Sequence, residues 1–250
     1  KLQAAYLLSD HTFWPEWFNT MKVRAAVGES GKAPGPFDAA QTWEATSADE
    51  QQAALIVANL GNPDLGPEVT REVEAGFDAA MFDDRISVEF TWYNQKTTDG
   101  LLAVQELPSN GIAESRWRNV GEFENTGIEL SLDATAWRSD DLFWSVGGYV
   151  STNNSKVLSL GDLEDIYIGW RQRARPCLDV DDPETIYRDE TVDCPMPGFW
   201  DNYVQNPDAV GETPEMEFSY RGPVYPTLTW GINTSVQLFD RLTLDALGEA

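Results

Sequence analysis

The fold of this chain is decided by residues 62–99, NPDLGPEVTREVEAGFDAAMFDDRISVEFTWYNQKTTD. Two long segments of alternating chemistry flank Asp83-Asp84-Arg85, and each has its apolar side chains on one face. These apolar positions are Val73, Ala75, Phe77, Ala79 and Met81 in the first segment, and Ile86, Val88, Phe90 and Trp92 in the second. Because the side chains of a strand alternate with period two, each segment predicts a strand with one apolar face. Each is about as long as the roughly 9–11 residues with which a tilted strand crosses a bilayer.

Composition excludes several classes of protein. The chain has 250 residues, enough for a large core or for about ten membrane strands with their loops. No stretch approaches the roughly 18 consecutive apolar residues of a membrane helix, which argues against helical spans only. The formal net charge of −25 leaves little from which to build the basic face that a nucleic-acid binder needs. We therefore expect no nucleic-acid partner.

The same alternation recurs along the chain. The candidate strands are 1–9, 21–28, 70–82, 85–98, 100–106, 126–138, 142–154, 225–238 and 241–250. Short connections (82–85, 138–141 and 239–241) alternate with long ones (29–69, 107–124 and 155–224). Outer-membrane barrels combine short turns at one end with long loops at the other, whereas a soluble sandwich has no reason to do so. The pattern predicts an all-β fold, an incomplete antiparallel transmembrane β-barrel segment of about nine to ten strands.

Aromatic residues flank several of these strands. The examples are Trp14, Trp17, Phe18, Trp137 and Trp144. Amphipathic rings at strand ends suit the girdles at membrane interfaces, and packing in a soluble core is the alternative.

The longest connection carries the candidate binding residues. Aromatic rings and guanidinium groups there could form a ligand-contacting surface: Tyr167, Trp170, Arg171, Arg173, Trp200 and Tyr203. The alternative is that these side chains pack the loop upon itself. Long loops are usually functional or disordered, so we expect the function in this set of connections.

Cys177 and Cys194 lie within one acidic, proline-bearing stretch of the same connection. Their spacing suits no redox or zinc motif, so we predict a local disulfide in an oxidising compartment, with two buried free thiols as the alternative. The carboxylates between them could bind calcium, but no EF-hand spacing is present and a solvated acidic loop is the simpler interpretation. We predict no metal site and no cofactor.

Catalytic patterns are not apparent in the sequence. His11 is the single histidine and is interpreted as a polar turn residue. The stretch Gly28-Glu29-Ser30-Gly31-Lys32 lacks the earlier glycine and the following Ser/Thr of a phosphate loop. The chain is therefore not expected to be an enzyme.

Four stretches carry a resemblance to a known family. They are Val23-Arg24-Ala25-Ala26-Val27-Gly28-Glu29-Ser30-Gly31, then Asn62-Pro63-Asp64-Leu65 with Pro67-Glu68, then Thr91-Trp92-Tyr93-Asn94-Gln95-Lys96-Thr97-Thr98-Asp99, and finally Asn119-Val120-Gly121 with Glu124-Asn125-Thr126-Gly127-Ile128-Glu129. In this order they resemble the C-terminal half of the barrel of TonB-dependent outer-membrane receptors, in particular the SusC/RagA-like nutrient transporters.

The resemblance implies a bacterial outer-membrane barrel of about 22 strands around a plug, importing oligosaccharides, peptides or chelates with energy from the TonB complex. It implies contact with outer-membrane lipid and a surface lipoprotein partner of the SusD type. It places Asp83-Asp84-Arg85 at the periplasmic face and Asn62-Pro63-Asp64 near the extracellular rim. The chain starts and stops within strand-like segments, so we expect residues 1–250 to be one partial barrel domain without plug and closing strands.

Two other classes of function are compatible with this sequence. The first is a soluble extracellular β-sandwich module that binds carbohydrate, and the second is a secreted hydrolase. A sandwich would bury Phe90, Ile128, Leu130, Leu132 and Leu228 between two sheets.

Overall fold

The computed structural model describes residues 1–15, 17–47, 52–106, 115–163, 166–169, 172–174, 197–204 and 216–250. Within these residues the chain forms fourteen β-strands and a short 3-10 helix, Leu8–Asp10. The strands are β1 (Leu2–Leu7), β2 (Phe18–Lys32), β3 (Thr42–Ser47), β4 (Ala53–Asn59), β5 (Glu68–Met81), β6 (Ile86–Gln105), β7 (Ser115–Arg138), β8 (Leu142–Ser159), β9 (Ile166–Gly169), β10 (Gln172–Ala174), β11 (Gly198–Val204), β12 (Met216–Pro223), β13 (Leu228–Leu238) and β14 (Leu242–Glu249). No helix in the described ranges is long and apolar enough to cross a membrane.

Eight strands form one antiparallel sheet in the order β1-β2-β5-β6-β7-β8-β13-β14. Each strand pairs with the next one along the chain, apart from two excursions. The first excursion is the hairpin β3–β4, and the second is a four-stranded sheet in the order β12-β11-β10-β9. The predicted all-β, antiparallel architecture is confirmed, and the main sheet is open, with β1 and β14 at its edges.

Tight turns close one end of the main sheet. The backbone takes left-handed φ angles of +52° to +58° at Phe82, Asp83, Asp84, Phe239 and Asp240. Asp is tolerated in the left-handed conformation. Hairpins with two or three connecting residues commonly use this conformation, because its backbone twist matches that of the two strands. The turn residues therefore reverse the chain within a few positions at this end of the sheet.

The strand boundaries differ from the sequence prediction at the opposite end of the sheet. The predicted strands 85–98 and 100–106 are one strand, β6, with register irregularities on either side of Gly100. β7 begins at Ser115 rather than at residue 126, which shortens the predicted connection 107–124. The connections 29–69 and 155–224 contain strands that alternation did not reveal. In β6 the irregular register conceals the continuity of the strand from the sequence, because the period-two pattern changes phase where a residue is inserted.

Both faces of the main sheet are open, unlike those of a sandwich. Leu130 is 39% exposed, Leu228 is 51% exposed, and Phe90 is half-buried against Phe77. The described residues contain no buried polar or charged side chain. Their one cluster of buried apolar residues lies at the end with long connections, where Val157, Leu160, Ile166 and Ala174 pack together. Four of the five apolar positions that a sandwich would enclose are therefore exposed: Ile128, Leu130, Leu132 and Leu228.

Candidate functional site

Register aligns the apolar positions of all eight strands of the main sheet on one face. One row of cross-strand partners runs through seven of the strands at Tyr6, Val23, Phe77, Phe90, Leu130, Val150 and Trp230. The pair Val236–Leu244 extends the alignment to β14. We call the face that this row defines the apolar face. Cross-strand partners point to the same side of a sheet, so the pattern noted in 62–99 extends across the whole sheet.

The height of the apolar face is limited by polar residues. Along β5 it extends from Val73 to Met81, which corresponds to ~27 Å of strand. A tilt of about 40° reduces this to about 20 Å, close to the apolar band of about 25 Å that lipid-facing barrel surfaces present. At the upper limit Asn94 donates hydrogen bonds to Glu124 Oε1 (2.9 Å) and Thr126 Oγ1 (2.7 Å). The change from Trp92 to Asn94 thus marks where the apolar face ends.

Aromatic rings lie at the end with tight turns. Trp17 stacks on Phe82 with ring centroids 5.4 Å apart, and the register partners Trp137 and Trp144 are 56% and 42% exposed. The indole N–H of Trp144 donates to Thr234 Oγ1 at 2.8 Å. These rings are therefore not core residues, and their position matches a membrane-interface girdle.

The opposite face, which we call the polar face, carries charged and hydroxyl side chains. A row one position from the apolar row runs through Lys22, Asp78, Glu89, Ser131, Tyr149, Gly231 and Glu249. Lys22 Nζ and Arg24 Nε lie 2.5 and 3.0 Å from the carboxylate of Asp78. Arg24 also donates to Thr91 Oγ1 at 2.7 Å. This network joins β2, β5 and β6 across the polar face.

Two tyrosines lie over glycines on the polar face. Tyr93 pairs with Gly127 and Tyr149 pairs with Gly231. A Cβ atom at Gly231 would lie 2.4 Å from Cε1 of Tyr149, so only glycine lets this ring lie against the wall. A shallow recess of about 270 Å³ beside Tyr149 is also lined by Glu89, Thr91, Glu129, Ser131 and Ser151. The recess has an aromatic side, hydroxyl groups and two carboxylates.

The structure describes only some of the predicted ligand-binding residues. Arg173 is half-buried in β10, and Trp200 in β11 is 5% exposed, with its ring edge-on to Tyr220 at 5.4 Å. Arg173 pairs with Gly198, two positions before Trp200. Burial raises the pKa of Tyr220, which lies outside the main sheet.

The other predicted binding residues are less fully described. The backbones of Tyr167 and Tyr203 lie in β9 and β11, while Trp170, Arg171, Cys177 and Cys194 lie outside the described residues. The ligand-binding surface and the disulfide therefore stay predictions.

An ion pair holds the turn that follows β8. Arg118 on β7 donates to both carboxylate oxygens of Asp162, at 2.9 and 3.2 Å. This hydrogen bond lowers the pKa of Asp162 from its usual value. The turn is thereby attached to the part of β7 that extends beyond the apolar face.

An antiparallel sheet with an apolar band, a polar opposite face, tight turns at one end and long excursions at the other is the wall of a transmembrane β-barrel. Residues 1–242 match the family described as TonB dependent receptor-like, beta-barrel, and the chain belongs to this family. The resemblance carried by the four sequence motifs is confirmed. The family is one of receptors rather than a class of enzymes.

Two curated relatives show the extent of the similarity. TonB-dependent receptor P26 of Formosa agariphila is 33% identical over 174 residues, covering 66% of this chain and 17% of the relative. TonB-dependent receptor SusC of Bacteroides thetaiotaomicron is 28% identical over 109 residues, covering 43% of this chain and 11% of the relative. The chain thus spans less than a fifth of the length of these relatives.

The fold is also similar to solved structures. The RagAB peptide transporter matches with a TM-score of 0.79 at 19% identity, covering 99% of this chain and 28% of that chain. The RagAB peptide importer in the 'open-open' state matches with a TM-score of 0.72 at 20% identity, covering 98% and 27% of the two chains. At such identity the likeness concerns the fold.

Proposed function

We propose that this chain forms part of the wall of a TonB-dependent transporter in the bacterial outer membrane, through which a nutrient is imported. The observation that carries this proposal is the apolar face, which is continuous in register across all eight strands of the main sheet. Such a face is stable against lipid hydrocarbon, and the polar face then lines the lumen. Family membership and the likeness to the RagAB peptide transporter support the same function.

The rest of the barrel and the plug belong, in this proposal, to other parts of a longer protein. Residues 1–250 form one partial barrel domain, and further strands pair with the edges of β1 and β14. The TonB complex acts through the N-terminal part, and a surface lipoprotein of the SusD type caps the extracellular side. The similarity to SusC and to RagAB supports these partners.

Ligand capture is assigned to the excursions beyond the apolar face. The candidate residues are those predicted in the longest connection: Tyr167, Trp170, Arg171, Arg173, Trp200 and Tyr203. Trp200 is buried, which favours a role in packing the small sheet β9–β12. The substrate class is oligosaccharide, peptide or chelate. Among these three classes, the likeness to the RagAB peptide transporter supports peptides.

Uptake by the full-length protein tests this function. Cells that lack related receptors would express it with its neighbouring lipoprotein and receive labelled oligosaccharides, peptides and metal chelates. We expect one class to accumulate in cells with TonB and not in matched cells without it. Equal uptake in both strains would show a passive pore, and accumulation of none of the three classes would contradict transport of these ligands.

A further inference from the structure

Two sequence segments that resemble family motifs meet in the structure above the apolar face. The side-chain amide of Asn119 on β7 donates to the carbonyl oxygens of Gly66 (3.0 Å) and Asp99 (2.8 Å). Its Oδ1 accepts a hydrogen bond from the backbone N–H of Gly66 at 2.8 Å. One side chain thus pairs with both backbone groups of Gly66, as a neighbouring strand would.

Further contacts join the same two segments. Asn62 donates to the carbonyl oxygen of Trp117 at 2.9 Å, and Arg116 Nε donates to that of Gly61 at 2.8 Å. Asn62 Oδ1 also accepts from the backbone N–H of Asp64 at 3.2 Å, which forms an Asx turn. The segment from 61 to 66 is therefore held along its length by β7.

The held segment is also the base of the hairpin β3–β4. Asn59 at the end of β4 donates to the carbonyl oxygens of Phe37 (2.7 Å) and Ala40 (3.2 Å), and its Oδ1 accepts from the N–H of Gly61 at 3.1 Å. Gly61 has φ +66°, and a Cβ atom there would lie 2.4 Å from the carbonyl carbon of Ala40. The segment that leads into β3 and the end of β4 are thus joined to each other just where the chain meets β7.

We propose that Asn62, Arg116 and Asn119 form a clasp that fastens the β3–β4 hairpin to the β6–β7 hairpin, so that these two hairpins move as one body. A two-stranded hairpin is only marginally stable by itself, so its position depends on what holds its base. The placement of the clasp on the extracellular rim rests on the proposed function, but the fastening itself does not. In the transporter the clasp would keep β3–β4 in a fixed position at the mouth of the barrel.

The chemistry of Asn119 gives a sharp test. Aspartate has nearly the same shape but donates no hydrogen bond, and its carboxylate would face the carbonyl oxygens of Gly66 and Asp99. Asn119→Asp should therefore open the clasp although it leaves no cavity. Asn125→Ala is the matched control, because Asn125 lies on the same strand as Asn119 but hydrogen-bonds Gln95 and Ser155 on the neighbouring strands of the main sheet.

The experiment is hydrogen exchange measured by mass spectrometry on the full-length protein in lipid nanodiscs, with wild type, Asn119→Asp, Asn62→Ala and Asn125→Ala. We expect amides of 53–66 to exchange about tenfold faster in the first two variants, the change that loss of one or two hydrogen bonds produces. Amides of 86–98 should keep their wild-type rates. Asn125→Ala should leave 53–66 unchanged.

Unchanged exchange of 53–66 in both clasp variants would overturn the proposal. Equal acceleration of 53–66 and 86–98 would also overturn it, because it would show general destabilisation of the sheet. If one clasp variant fails to fold, the other decides the question. Since exchange is measured without a substrate, a failure of the clasp remains distinguishable from a failure of transport.

Discussion

Neighbouring residues of opposite chemistry define the two faces of the wall, and Leu130 and Ser131 on β7 are a clear example. Leu130 pairs with Phe90 and Val150 on the apolar face, whereas Ser131 pairs with Glu89 and Tyr149 on the polar face. A single step along the strand thus separates the surface proposed to contact lipid from the surface proposed to line the lumen.

Arginine substitutions at these two positions test the assignment of the faces. We expect Leu130→Arg to lower the stability of the full-length protein in lipid by about 2–4 kcal/mol, because a charge near the bilayer midplane is poorly solvated. Ser131→Arg is the matched control and should change stability little, since the lumen tolerates charge. The measurement is denaturant unfolding in lipid vesicles. Equal losses in the two variants would contradict the assignment.

Elements beyond the apolar face combine apolar packing around Val157 and Leu160 with local polar contacts. The turn after β8 is attached to β7 by Arg118 and Asp162, and the Asp162 side chain is 68% exposed. The lowered pKa of Asp162 means that its charged form favours the attached turn. This contribution is fully present above the unfolded-state pKa of about 3.9 and is lost as the pH falls through the lower folded-state value.

Acid should therefore loosen this turn. We expect the opening equilibrium of residues 160–163, from hydrogen exchange corrected for the intrinsic rate, to be constant from pH 7 to pH 5 and to increase below about pH 4. Asp162→Asn should remove this change with pH, because the amide does not titrate. The same pH dependence in wild type and variant would show that another group is responsible.

At the scale of the whole molecule, the main sheet exposes an apolar band and two strand edges. β1 and β14 are the edges of the described sheet, and Leu2, Leu244 and Leu247 on them are 73%, 56% and 71% exposed. Unpaired edges and large apolar patches promote association in water. The remainder of a barrel, together with lipid, would remove both sources of association.

A polypeptide of residues 1–250 should accordingly need detergent or lipid. We expect it to aggregate in aqueous buffer and to give a β-sheet circular dichroism spectrum as a small, soluble species in detergent. Size-exclusion chromatography under both conditions provides the measurement. A folded monomer in water is the result that the soluble carbohydrate-binding module requires, and it would contradict a membrane wall.

The sequence by itself determined the class of fold and the chemistry of the two faces. Alternation is a local property, so the strand pair in 62–99 could be assigned, with its tight turn at Asp83-Asp84-Arg85, before any partner was known. The tight turns were likewise predictable, because they lie between strands that are adjacent in the chain.

Only the tertiary structure decided the features that depend on distant partners. The pairing of β6 with β7 continues through irregular register. For this reason 85–98 and 100–106 form one strand, and β7 begins earlier than predicted. The hairpin β3–β4 and its fastening by Asn62 and Asn119 join segments about 55 residues apart, as the bond from Asn62 to Trp117 shows. Sequence separation does not reveal which side chains meet, because hydrogen bonding depends on the positions that the folded strands impose. The alternating pattern within one strand therefore predicts the sheet and its two faces. The contacts at the end with long connections can be known only from the folded chain.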